Sequence, residues 1–151
     1  MSSNQQVSKK ALEHYQVGYN CAESVLLALY EDMEPKSENE LIPKIAAGFG
    51  GGIGRCGSVC GALTGSIMAV GIKYASNETG MEKRAKAYLY AKTLLKQFEE
   101  QNGTTSCRDL IKYDLSNPEE AAKFRQEGIP QKVCSKLIKV AIENYFALEV
   151  K

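Results

Sequence analysis

The chain has no Cys-x2-Cys pair, only one histidine, almost no net charge and no apolar run long enough for a bilayer. Each absence excludes something. Without Cys-x2-Cys, zinc ribbons and thioredoxin-like redox pairs have no support. Without Cys-x2-Cys-His, covalently attached haem has no anchor, so no haem is expected. The lone His14 falls on or beside the apolar face of the first helix and reads as a surface or core residue, not a ligand. A formal net charge of +1 and a pI near 7.6 give no pull towards nucleic acid or an anionic membrane. No basic stripe interleaved with aromatics appears either. The longest charge-free stretch, Cys56 to Ile72, is 17 residues and rich in Gly, Ser and Thr. It is too short to span, and a buried, tightly packed helix is expected there. Met1 to Val7 carries no apolar run, so no signal peptide is read and a cytoplasmic location is expected.

What the chain does have is five cysteines and 13 glycines, nine of the glycines lying between Gly48 and Gly71. A reducing cytosol keeps thiols from serving as permanent staples, so such a set points to metal binding or redox chemistry. At 151 residues, 44% hydrophobic and 25% charged, residues 1–151 form one domain able to bury a core without disulfides.

The pattern is helical throughout. Val7, Ala11, Leu12 and Tyr15 share a face, and Gly18 closes that helix. Asn20 with Glu23 forms a capping box before Val25, Leu26 and Leu29. Ser37 with Glu40 is another, interrupted by Pro43. Gly57, Gly61, Gly65 and Ala69 recur at four-residue spacing, a side-chain-free groove down one helix face. Thr79 with Glu82 opens a long helix through Ala85, Tyr88, Leu89, Leu95 and Phe98, ended by Asn102-Gly103. Ser106 with Asp109, then Asn117-Pro118, mark further starts. Pro130 begins the last helix, with Val133, Leu137, Ala141 and Tyr145 buried. No alternating strand appears. The expected fold is an all-α, single-domain helical bundle in which a glycine-rich loop leads into a buried central helix.

On that reading Cys21 and Cys107 directly follow helix caps, Cys60 lies near the start of the glycine helix, and Cys134 follows Pro130. A helix terminus favours thiolate by about 0.3–1 kcal/mol, less than one pKa unit, which leaves the thiol mostly protonated. A metal, or a cation such as Arg55, Arg108, Lys132 or Lys136, has to supply the rest. A single cysteine on a helix is ordinarily a small buried hydrophobe; the set is what carries the reading. The formal G-x-G-x-x-G of Gly52 to Gly57 lacks a preceding strand, so no NAD site is expected. Gly50, Gly51, Gly52 and Gly54, with Arg55, lead into a helix and can cradle an anion or the sulfides of a cluster.

At these residues the chain resembles the redox-active protein family named for the pattern C_GCAxxG_C_C. Tyr19-Asn20-Cys21-Ala22-Glu23 is similar to its first cysteine motif. Gly48-Phe49-Gly50-Gly51-Gly52-Ile53-Gly54-Arg55, with Cys60-Gly61-Ala62-Leu63-Thr64-Gly65, resembles its glycine-rich signature, although the glycine here follows Cys60. The resemblance implies a four-cysteine site of Cys21, Cys60, Cys107 and Cys134, with Cys56 outside it. A related domain in split-Soret cytochromes carries an iron–sulfur centre, which makes an iron–sulfur cluster the leading expectation. The glycines Gly50, Gly51, Gly52, Gly54 and Gly61, with Arg55, would then contact it. The expected function is electron transfer or redox sensing with an unidentified redox partner. One alternative is a metal-free thiol–disulfide protein in which Cys60 attacks and another thiol resolves. A structural zinc domain is the other. The glycine-faced helix could also pack in a homodimer.

Overall fold

The computed structural model describes residues 2–149 and is all-α. Its helices in chain order are α1 (Ser3–Gln16), α2 (Cys21–Asp32), α3 (Leu41–Lys44), α4 (Gly61–Tyr74), α5 (Met81–Asn102), α6 (Cys107–Ile111), α7 (Pro118–Gln126) and α8 (Ser135–Ala147). A 3-10 turn at Ala47–Phe49 precedes the glycine loop, and a wide π-type turn at Pro130–Cys134 leads into α8. The nearest thing to a sheet among the described residues is one antiparallel bridge between Val59 and Ser106.

Local chemistry sets most of the boundaries. Asn20 Oδ1 accepts from the Glu23 amide at 2.9 Å, and Glu23 Oε1 accepts from the Asn20 amide at 2.9 Å. This reciprocal cap starts α2 at Cys21. Ser106 Oγ accepts from the Asp109 amide at 3.3 Å and starts α6 at Cys107. Asn117 accepts from the Glu119 and Glu120 amides, with Pro118 as first residue of α7. Gly103, at φ +83°, closes α5.

Several expected details differ. Val17 closes α1, and Gly18 turns the chain beyond it at φ +118°. Gly80, not Thr79, occupies the cap position of α5, at a φ of +125° that suits glycine. Asn39 Oδ1, not Ser37, accepts the Leu41 amide at 2.9 Å, and that piece is a single turn with Ile42 outside helical φ/ψ. Gly57 lies outside α4 in a turn at φ +76°, so the groove is Gly61, Gly65 and Ala69. On α5, Tyr88, Leu89 and Leu95 are exposed while Leu94 and Phe98 are buried. The core-facing row steps back by three and four residues from Phe98 through Leu94; Leu95 is about 100° round the helix from it.

Leu26 and Leu29 of α2, Leu63 and Val70 of α4, Leu94 and Phe98 of α5, and Ile138 and Ile142 of α8 are all buried together. Full burial of each contributes about 1.5–3 kcal/mol, and this cluster fixes α2, α4 and α8 against one another. The tightest crossing is α2 on α4. A Cβ on Gly65 would stand 2.6 Å from the Ala22 carbonyl oxygen, so only glycine permits that approach. Gln101 and Asn144 exchange side-chain hydrogen bonds of 3.1 and 2.7 Å and tie α5 to α8.

Candidate functional site

The four cysteines named by the family pattern come from four elements. Cys21 is the first residue of α2, Cys60 caps α4, Cys107 is the first residue of α6, and Cys134 ends the turn before α8. All four line one small cavity, closed by Ala62, Ile111 and Leu137. Its volume is about 20 Å³, room for roughly one water molecule. Beside it lies an open cavity of about 340 Å³, lined by Cys21, Cys107 and Cys134 but not by Cys60. Cys60 therefore sits at the closed end, 5% exposed. Cys56 is exposed and lines neither cavity. All five thiols are free. Among the described residues, no three His, Cys, Asp or Glu side chains are arranged to hold a metal ion as they stand.

The glycine loop brings these elements together. Gly51, Gly52, Ile53, Gly54 and Arg55 form an unbroken left-handed run, with φ of +65°, +73°, +65°, +58° and +63°. The two non-glycine members each cost about 1–2 kcal/mol in that conformation. Amide bonds from Gly54 to Gly48 O and from Ser58 to Gly52 O, both 2.8 Å, help hold the run. Asn20 Nδ2 donates to Ala47 O at 3.0 Å, so the residue that caps α2 also pins the loop. The chain after the loop pairs with the start of α6: Cys60 N–H donates to Thr105 O at 2.8 Å and Cys107 N–H to Ser58 O at 2.6 Å.

Each predicted glycine has a definite place. Gly50, Gly51, Gly54 and Arg55 line the open cavity. Gly52 is buried and lines neither cavity; a Cβ there would stand 2.6 Å from Cys107 Cβ. Gly61 faces the thiols directly, since a Cβ there would stand 2.5 Å from Cys21 Sγ.

Burial pushes all four thiols up, Cys107 to about 11 and Cys134 to about 12. Repulsion from Cys21 raises the other three further. Opposing this, amides of Gly51, Ala22 and Gly61 favour the Cys21 thiolate, and those of Ala62 and Leu63 the Cys60 thiolate. Arg108 favours the Cys107 thiolate, and Tyr15, which lines the open cavity with Cys134, favours the Cys134 thiolate. The helix-start contribution is present at Cys21 and Cys60, Cys107 has only Arg108 in its favour, and burial outweighs both.

Tyr15, which the helical spacing places on one face with Val7, Ala11 and Leu12, lines the open cavity with the thiols. Phe124, Ile111 and Leu115 form the apolar wall of the open cavity. The signal for Phe124 was its isolation as the one large apolar residue of an otherwise polar α7.

The family model described as "Putative redox-active protein (C_GCAxxG_C_C)" matches residues 19–147. An "Uncharacterized protein" of Archaeoglobus fulgidus is 33% identical over 131 residues, covering 82% of this chain and 86% of the relative. No solved structure matches. The match spans every helix from α2 to α8 and all five cysteines, and this chain belongs to the C_GCAxxG_C_C family of redox-active proteins.

Proposed function

We propose that Cys21, Cys60, Cys107 and Cys134 form the metal site of a small cytoplasmic redox protein, with an iron–sulfur centre as the preferred occupant and electron transfer or redox sensing as its role. One observation carries this: four cysteines from four separate elements line a single cavity. Thiolates are the ligands such centres use. The surroundings fit as well. Backbone amides of Gly51, Ala22 and Gly61 favour the charged Cys21 sulfur, and polar groups near the sulfurs tune a centre's potential.

The same electrostatics weigh against a metal-free thiol mechanism. An attacking cysteine needs a lowered pKa and access. Cys60 is 5% exposed, and burial pushes its thiol well up. Four neutral thiols, two buried and two half-buried, are a poor set of nucleophiles, whereas a metal cation supplies the positive charge that makes thiolates favourable. An iron–sulfur centre would supply one-electron chemistry when bound. The protein's part is to provide the sulfurs, wall the inner side of the site with Ala62, Ile111 and Leu137, and set Tyr15 with Cys134 along the open side.

Zinc is the second reading, because the space between the thiols has room for one water-sized body. A single tetrahedral ion needs less rearrangement of the four sulfurs than a cluster does. Elemental analysis after anaerobic purification separates the readings. Iron and sulfide near one cluster per chain support the first, and one zinc per chain supports the second. Protein that stays metal-free after anaerobic reconstitution, and loses two thiols reversibly on mild oxidation, overturns both.

A further inference from the structure

The open cavity beside the thiols continues past them. A second hollow, of about 510 Å³, shares Tyr15, Arg55 and Phe124 with the cavity of about 340 Å³ and adds Arg125 at its rim. Both volumes are in the range of small-molecule sites. The charges lining them are one-sided. Arg55 and Arg125 are present, and no Asp or Glu lines either hollow, in a chain with 18 acidic residues.

These two arginines are also unengaged. Arg108, on the far side of the glycine loop, is spoken for: it pairs with Asp114 at 3.0 Å and donates to Cys56 O. By contrast the side chains of Arg55 and Arg125 make no ion pair or hydrogen bond with any described residue. Arg55 is held at φ +63° in a run where Gly51, Gly52 and Gly54 are glycine, so the chain keeps a charged side chain where glycine is easier. Across the cavity stand Phe124, Ile111 and Leu115, an apolar surface that a lone inorganic ion does not need.

We propose that this cleft binds a small organic anion, a carboxylate on an apolar body, with Arg55 as the principal anchor, Arg125 as a secondary one and Phe124 against the body. The planar guanidinium fork matches a carboxylate in two parallel hydrogen bonds. The glycine lining of Gly48, Gly50, Gly51 and Gly54 leaves the backbone open to a ligand from the loop side. The thiols Cys21, Cys107 and Cys134 form the inner wall, so the bound anion lies next to the redox site and is placed to be acted on there or to report on it. This inference does not depend on which metal, if any, the thiols hold.

Benzoate is the probe, with benzamide as its uncharged counterpart, titrated into the protein as purified and followed by amide NMR. Benzoate is expected to shift the amides of Gly51, Gly54, Ile111 and Phe124, and to bind about tenfold or more tightly than benzamide. Arg55→Gln should weaken benzoate about tenfold or more, and Arg125→Gln by less. Arg55→Gly, which accepts the left-handed conformation freely, should keep a native melting temperature and show the same loss of binding. Cys60→Ala tests independence: it should lose any metal and retain benzoate affinity. Equal binding of benzamide and benzoate, unchanged affinity in Arg55→Gln, or loss of benzoate binding in Cys60→Ala would each overturn the inference.

Discussion

Alanine placed at Gly65 and at Gly61, one turn apart on α4, separates packing from site chemistry. At Gly65 a Cβ would stand 2.6 Å from the Ala22 carbonyl oxygen and 3.2 Å from both Ala22 Cα and Val25 Cβ. Backbone atoms cannot rotate away, so α2 must retreat from α4. Overpacking of this kind costs about 1–3 kcal/mol. Alanine returns about 1 kcal/mol of helix propensity. With backbone as the obstacle, a net loss of about 2 kcal/mol is expected, or about 4–8 °C in melting temperature for a chain of this size. At Gly61 the nearest atom is instead Cys21 Sγ, at 2.5 Å, the free end of a side chain. It can swing aside for about 0.5–1.5 kcal/mol, and Ala22 N at 3.1 Å has to give by only a few tenths of an ångström, against 2.6 Å at Gly65; the gain in propensity largely offsets both. Gly61→Ala should thus melt close to wild type yet displace the Cys21 sulfur from the cavity and lose metal. The assays are circular dichroism melts and iron and sulfide per chain after anaerobic reconstitution. A Gly65→Ala protein that melts like wild type, or a Gly61→Ala protein with full metal content, would refute the reasoning.

Cys60→Ala should remove nearly all bound metal, while Cys56→Ala keeps most of it, because Cys56 is exposed and lines neither cavity. Equal losses would make Cys56 a fifth participant. Asn20→Ala removes both the cap of α2 and the bond to Ala47 O, about 1 kcal/mol each, so the melting temperature should fall by about 4–8 °C. No measurable change would mean the loop is held elsewhere. For metal-free protein, the folded Cys107 and Cys134 thiols stay protonated up to about 11 and about 12, whereas unfolded thiols ionise near 8.5. Between these values the folded state binds more protons. Its stability is therefore complete below about pH 8.5 and is lost as pH rises towards the folded values. A melting temperature that is flat across that window would contradict the burial of these thiols.

The sequence alone determined the parts of this protein that depend on near neighbours. Asn20 with Glu23, Ser106 with Asp109, and Asn117-Pro118 are local hydrogen-bonding devices, and each starts its helix where expected. They place Cys21 and Cys107 on first-turn positions through hydrogen bonds between residues three apart. The all-α character follows from the same local periodicity. Wherever a choice depended on which helix lies opposite, the sequence was silent. It could not tell the Leu94–Phe98 face of α5 from the Leu95 face, because both rows are apolar and only the position of α4 and α8 distinguishes them. Nor could it exclude Gly57 from the groove, since four-residue spacing is the same inside a helix and just before one. The convergence of Cys21, Cys60, Cys107 and Cys134 on one cavity, and the lining of its open side by Tyr15, Arg55 and Phe124, exist only in three dimensions. Burial, which decides the state of the thiols, is likewise a property of the packed molecule, because it is set by residues far away in the chain.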